Sequence, residues 1–68
     1  MRIFVQPRMG DSFDRTVRNA VEILHTANIL SARASATIDG RSVVLVDSED
    51  LSEAMATLER DGLRATVT

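Results

Sequence analysis

The chain has 68 residues, no cysteine, a single histidine, and 8 basic against 10 acidic side chains. A length of 68 residues allows one domain over 1–68 with a small core, and the composition excludes disulfides and a cysteine-rich zinc site as staples. A net charge of −2 argues against a phosphate-backbone partner, and no apolar run spans a bilayer, so a cytoplasmic protein with neither nucleic-acid nor membrane partners is expected.

Residues 3–6 alternate as a first strand, which Pro7 ends. Arg8-Met9-Gly10-Asp11 forms a loop, and Asp11 or Ser12 can cap the helix that follows. In that helix Phe13, Val17, Ala20, Val21, Leu24 and Ala27 recur at three-to-four spacing on one face. Asp14, Arg15, Arg18, Glu22 and Thr26 occupy the other face. Asn28, tolerant of the left-handed conformation, closes the helix.

Strands are expected over 31–38 and 41–47, joined at Asp39-Gly40, a dipeptide suited to a two-residue hairpin turn. Asp50 followed by Glu53 reads as a capping box opening a second helix. Its buried face is Leu51, Ala54, Met55 and Leu58, and Gly62 closes it. Residues 63–68 alternate as a last strand. The order strand, helix, strand, strand, helix, strand predicts an α+β, ferredoxin-like βαββαβ split sandwich. Its four antiparallel strands would lie in the order 4-1-3-2, with both helices on one face.

A two-residue turn at Asp39-Gly40 sets Ala34 opposite Leu45 and Ala36 opposite Val43, and opposed residues share a face. The helix side then holds Ala34, Ala36, Ile38, Val43 and Leu45 with Ile3, Val5, Leu63, Ala65 and Val67. The opposite face carries Phe4, Val44 and Val46 amid Arg2, Arg33, Arg64 and hydroxyl side chains. An apolar centre in a polar rim reads as a candidate protein interface. So small a core also points to self-association.

No catalytic constellation is evident. His25 lies beside Glu22 on the polar flank of the first helix, where a solvated surface role is preferred over a general base. The serines have no base next to them in sequence, so no catalytic residue is assigned and no enzyme is expected. The acidic run 47–50 lacks the glycine and terminal glutamate of a calcium loop and is read as helix capping. No metal ligand or cofactor is assigned. The loop Arg8-Met9-Gly10-Asp11-Ser12 is the segment with binding potential, because it leads into a helix N-terminus.

Ala27-Asn28-Ile29-Leu30 after Ile23-Leu24, together with Val46-Asp47, Asp50, Ala54, Leu58 and Asp61-Gly62-Leu63, resembles the ACT domain, a small amino-acid-sensing regulatory fold. Met9-Gly10 stands where that family has Pro-Gly, and Asn28 replaces its usual glycine. The resemblance implies a homodimer with an amino-acid-like ligand at the interface, near Gly10, Asn28, Ile29 and Leu30. The alternative is a ligand-free assembly subunit that grips a protein partner through Phe4, Val44 and Val46.

Overall fold

Amphipathic segments alternate with short apolar ones, and the elements follow in the expected order in a computed structural model that describes residues 1–35 and 42–67. They are β1 (Arg2–Val5), α1 (Phe13–Thr26), β2 (Arg33–Ala34), β3 (Val43–Leu45), α2 (Leu51–Arg60) and β4 (Ala65–Val67). A 3-10 turn over Ser48–Asp50 leads into α2. The four strands form one antiparallel sheet in the order β2-β3-β1-β4, which is the expected order read from its other edge. The Asp39-Gly40 turn lies outside the described residues, as do Ala36, Thr37, Ile38, Arg41 and Thr68.

The pair β1–β3 lies at the centre of the sheet. Ile3 stands opposite Val44, Arg2 opposite Leu45 and Phe4 opposite Val43. Backbone bonds continue this pairing at both ends: Met1 and Val46 exchange bonds of 2.8 and 3.0 Å, and the Val5 amide donates to Ser42 at 2.9 Å. The buried Ser42 hydroxyl in turn donates to the Val5 carbonyl, so a polar side chain sits in the core at no cost in unmade bonds.

This ladder corrects the face assignment of β3. Ala34 stands opposite Val44, not Leu45. Because side chains alternate with a period of two, a slip of one residue exchanges the faces of a strand. Val44 and Val46 are 0% and 1% exposed inside the core, so neither belongs to an outer interface. Val43 and Leu45, expected under the helices, share the outer face with Phe4 and are half-buried. Four consecutive apolar residues, 43–46, satisfy either parity, so alternation alone could not choose.

Both helices close over Ile3, Val5 and Val44. α1 contributes Val17, Ala20 and Leu24, and α2 contributes Ala54 and Leu58, to a single cluster completed by Ile29, Ala32, Val46 and Leu63. Phe13, expected on the buried face, lies in the first turn of α1 and remains 44% exposed. Thr16 is buried instead, its hydroxyl donating to the Ser12 carbonyl at 2.8 Å. Ser12 rather than Asp11 caps α1, its Oγ accepting from the Arg15 amide at 3.1 Å.

The two helices end the same way. In α1 the Asn28 amide donates to His25 at 2.9 Å and the Ile29 amide to Leu24 at 2.8 Å. In α2 Gly62 donates to Glu59 and Leu63 to Leu58, both at 3.0 Å. These are Schellman closures, with a left-handed residue followed by an apolar one that folds back on the helix. Asn28 has φ 68° and Gly62 φ 86°, and Ile29 and Leu63 are the apolar partners.

Asp50 does not form the expected capping box. The 3-10 turn starts the helical path one turn earlier, with Asp47 in the extended conformation that precedes it. Asp50 Oδ2 instead accepts from the Ser31 hydroxyl at 2.7 Å, and the same Ser31 oxygen accepts from the Asp47 amide at 3.2 Å. The His25 Nε2–H donates to the Ala32 carbonyl at 2.7 Å. Residues at the end of α1, the entry to β2 and the start of α2 are thereby tied into one corner.

The register makes a direct prediction. Val44→Ala, which opens a cavity in the core, lowers stability by about 2 kcal/mol, whereas Val43→Ala on the outer face costs less than about 1 kcal/mol. Urea titration of both variants measures the difference, and equal losses would mean that the faces are not divided in this way.

Candidate functional site

Pro7 stops β1 after the Gln6 amide has bonded to the Arg64 carbonyl at 2.8 Å. The chain then turns over Arg8–Asp11, the Asp11 amide donating to the Arg8 carbonyl at 3.0 Å. Gly10 occupies the third position of this turn with φ 89°, as a type II turn requires. The turn sends the Arg8 side chain across to the end of α2. There its Nη2 donates to the Asp61 carbonyl at 2.6 Å and lies 3.9 Å from Asp61 Oδ2. A cation on the last carbonyls of a helix is favoured by the helix dipole.

Between this strut and α1 lies an open groove of about 430 Å³. One wall is a stripe of α1 at three-to-four spacing: Thr16, Asn19, Ile23 and Thr26, with Glu22 beside them. The facing wall is Arg8, Asp11 and Asp61, and Leu63 and Ile23 supply the apolar patch. The lining thus holds one guanidinium, already engaged by Asp61, and three carboxylates, Asp11, Glu22 and Asp61, around an opening a small molecule can enter. Such a lining suits an ammonium group, or a molecule with both an ammonium and a carboxylate, better than an inorganic anion. It holds no nucleophile paired with a base.

The predicted ligand residues are not gathered in this groove. Arg8 and Asp11 line it, so the β1–α1 loop contributes, but Gly10 between them serves the turn. Asn28, Ile29 and Leu30 follow the C-terminal end of α1, just past Thr26, and do not line the groove. Ile29 is 2% exposed in the core, as the apolar partner of the Schellman closure, and its side chain is closed to a ligand. Leu30 is 72% exposed. Sequence reasoning missed Asn19, Glu22 and Thr26 as groove residues. Their signal is a polar i, i+3, i+7 stripe next to the apolar one, and every surface helix carries something similar.

His25 is not among the groove-lining residues, and its ring serves the Ala32 carbonyl. Among the described residues there is no group of three or more His, Cys, Asp or Glu placed to hold a metal ion. No described helix is long and apolar enough to cross a membrane. The comparisons with known proteins were empty: no family model, curated protein or solved structure matches the chain.

Two of the predicted ligand residues are thus backbone positions, and this is measurable. Asn28→Gly removes the Cβ penalty of the left-handed conformation and raises stability by about 0.5–1 kcal/mol, while Gly10→Ala lowers it by about 1 kcal/mol although its surroundings are open. Thermal unfolding of the two variants checks the signs, and a stability loss in Asn28→Gly would contradict the Schellman assignment.

Proposed function

We propose that this chain is a non-enzymatic regulatory module of ferredoxin-like, ACT-like architecture. It binds an amino-acid-like small molecule and works as a homo-oligomer. The observation that carries the reading is the groove beside Arg8. One guanidinium and three carboxylates line it, and an amide, two hydroxyls and two apolar side chains complete the lining. A zwitterion finds complementary partners for both of its charges in such a place.

The oligomeric part rests on topology. β1 and β2 both run antiparallel to β3, so they run parallel to each other, and the Gly10 loop lies at the end of the sheet opposite the start of β2. Two protomers paired through β2 about a two-fold axis bring the loop of one beside the entry to β2 of the other. The exposed apolar side chains fit such a pairing. Met9 and Phe13 stand at one end of α1 and Leu30 at the other, so each meets its counterpart only across the pair. In this arrangement Gly10 of one protomer approaches Asn28 and Leu30 of its partner.

Ligand binding to the folded state raises stability by mass action, about 2.7 kcal/mol at a hundredfold excess over Kd. Melting curves against the twenty common amino acids therefore show a concentration-dependent rise for at least one. Glu22→Ala abolishes that rise while leaving the unliganded protein within about 0.5 kcal/mol of the parent. A flat panel overturns the small-molecule reading, and a monomer by sedimentation at micromolar concentration overturns the oligomer.

A further inference from the structure

The outer face of the sheet is separate from the groove. The register places its side chains in rows. Arg33, Leu45 and Arg2 form one row across β2, β3 and β1. Ser35, Val43, Phe4 and Thr66 form the next, the first pair fixed by the bond from the Ser35 amide to the Val43 carbonyl at 3.1 Å. Gln6 and Arg64 form the third. The centre is thus Phe4, Val43 and Leu45, all half-buried with no described helix packed on them, and guanidinium groups stand at both ends.

The charge on this face is one-sided. No residue of the four described strands is acidic, and among the described residues no carboxylate pairs with Arg2, Arg33 or Arg64. Among the described residues the nearest acid by parity is Asp47, two residues past the end of β3. Most of the remaining acids belong to the helical side: Asp14 and Glu22 on α1, Glu49 and Asp50 in the 3-10 turn, Glu53 and Glu59 on α2.

We infer that this face docks an acidic, extended segment of a different protein. The segment presents an apolar side chain to Phe4, Val43 and Leu45 and carboxylates to Arg2, Arg33 and Arg64. Spacing specifies the motif. Rows on one face of a sheet are about 6.7 Å apart, which is also the distance between alternate side chains of an extended chain. A carboxylate at the Arg2–Arg33 row, an apolar residue at the Phe4 row and a carboxylate at the Arg64 row correspond to an acid-x-apolar-x-acid order.

Charge also decides against the other occupants. A second copy laid face to face adds three more guanidinium groups to the three described, against the single Asp47 carboxylate beyond the end of β3 in each copy. A second copy offering its acidic helices makes a head-to-tail contact that does not close and grows into chains. Single-stranded nucleic acid would find phosphate partners, but one aromatic ring, Phe4, is all that the central strands offer for base stacking.

The probe is a fluorescein-labelled peptide of sequence Ser-Glu-Ser-Leu-Ser-Glu-Ser, followed by anisotropy at low salt. A control peptide has the same composition with its two glutamates adjacent. Binding of the ordered peptide, weaker for the control, and lowered about tenfold or more by Arg2→Glu with Arg33→Glu, supports the inference. Arg18→Glu on the exposed face of α1 leaves it unchanged, and circular dichroism confirms that both variants fold. Absence of peptide binding overturns the inference, as does equal affinity for the control peptide. Tighter binding of an oligothymidylate, or a homodimer that the Arg2→Glu, Arg33→Glu variant dissociates, assigns the face to another occupant and also overturns it.

Discussion

The pairing of Ile3 with Val44 is the constraint from which the rest of the molecule follows. β1 and β3 are the two inner strands, and their shared register decides at once which side chains the helices cover. With that parity, Ile3, Val5, Val44 and Val46 form a continuous apolar floor, and α1 and α2 have one surface to close upon. With the other parity, the floor would hold Val43 and Leu45, and Ser42 would lose the Val5 carbonyl that satisfies its hydroxyl. A core this small does not tolerate an orphaned hydroxyl.

A floor of four short strands is sealed only if the connections are fixed as firmly as the strands. Here the ends of the helices do that. Each Schellman closure turns the chain sharply and also delivers one more apolar side chain, Ile29 or Leu63, into the core. The corner at Ser31 then ties the two crossover connections together, because one hydroxyl serves both Asp50 and the Asp47 amide. Arg8 makes the equivalent tie at the opposite end, from the β1–α1 loop to the end of α2. Polar side chains therefore hold the corners while apolar ones fill the middle.

This division explains what the sequence discloses. The helices were legible because an apolar stripe at three-to-four spacing has one physical reading, and Gly62 and Asn28 mark their ends. The strand order followed from the alternation of element types. The faces of β3 were not legible: Val43-Val44-Leu45-Val46 offers two equally apolar parities, and the choice belongs to the partner strand. Asp50 misled for a related reason, since its carboxylate prefers a hydroxyl brought near by tertiary folding to the amides of its own helix. Of the four expected ligand residues, Gly10 and Asn28 reflect turn geometry and Ile29 reflects packing. A motif read from sequence mixes backbone requirements with chemistry, and only geometry separates them.

Net charge illustrates the same point at the scale of the whole surface. A balance of −2 describes a mildly acidic chain and argues against any partner that carries negative charge. The fold distributes that charge unequally. Strand positions on the outer face take arginine, and Arg2, Arg33 and Arg64 are all exposed there. Helix starts and helix surfaces take the carboxylates, where the dipole and solvent favour them. The result is a molecule with a cationic sheet face and an anionic helical layer, in which the sum is nearly neutral and neither surface is. Partners are chosen by local potential within about 10 Å at ordinary ionic strength, so the sum says little about either surface. The groove beside Arg8 lies apart from the sheet: it draws one carboxylate from α1, one from the end of α2, and a third, with its single cation, from the β1–α1 loop. Two surfaces of opposite sign on one small domain present different local potentials to whatever approaches them.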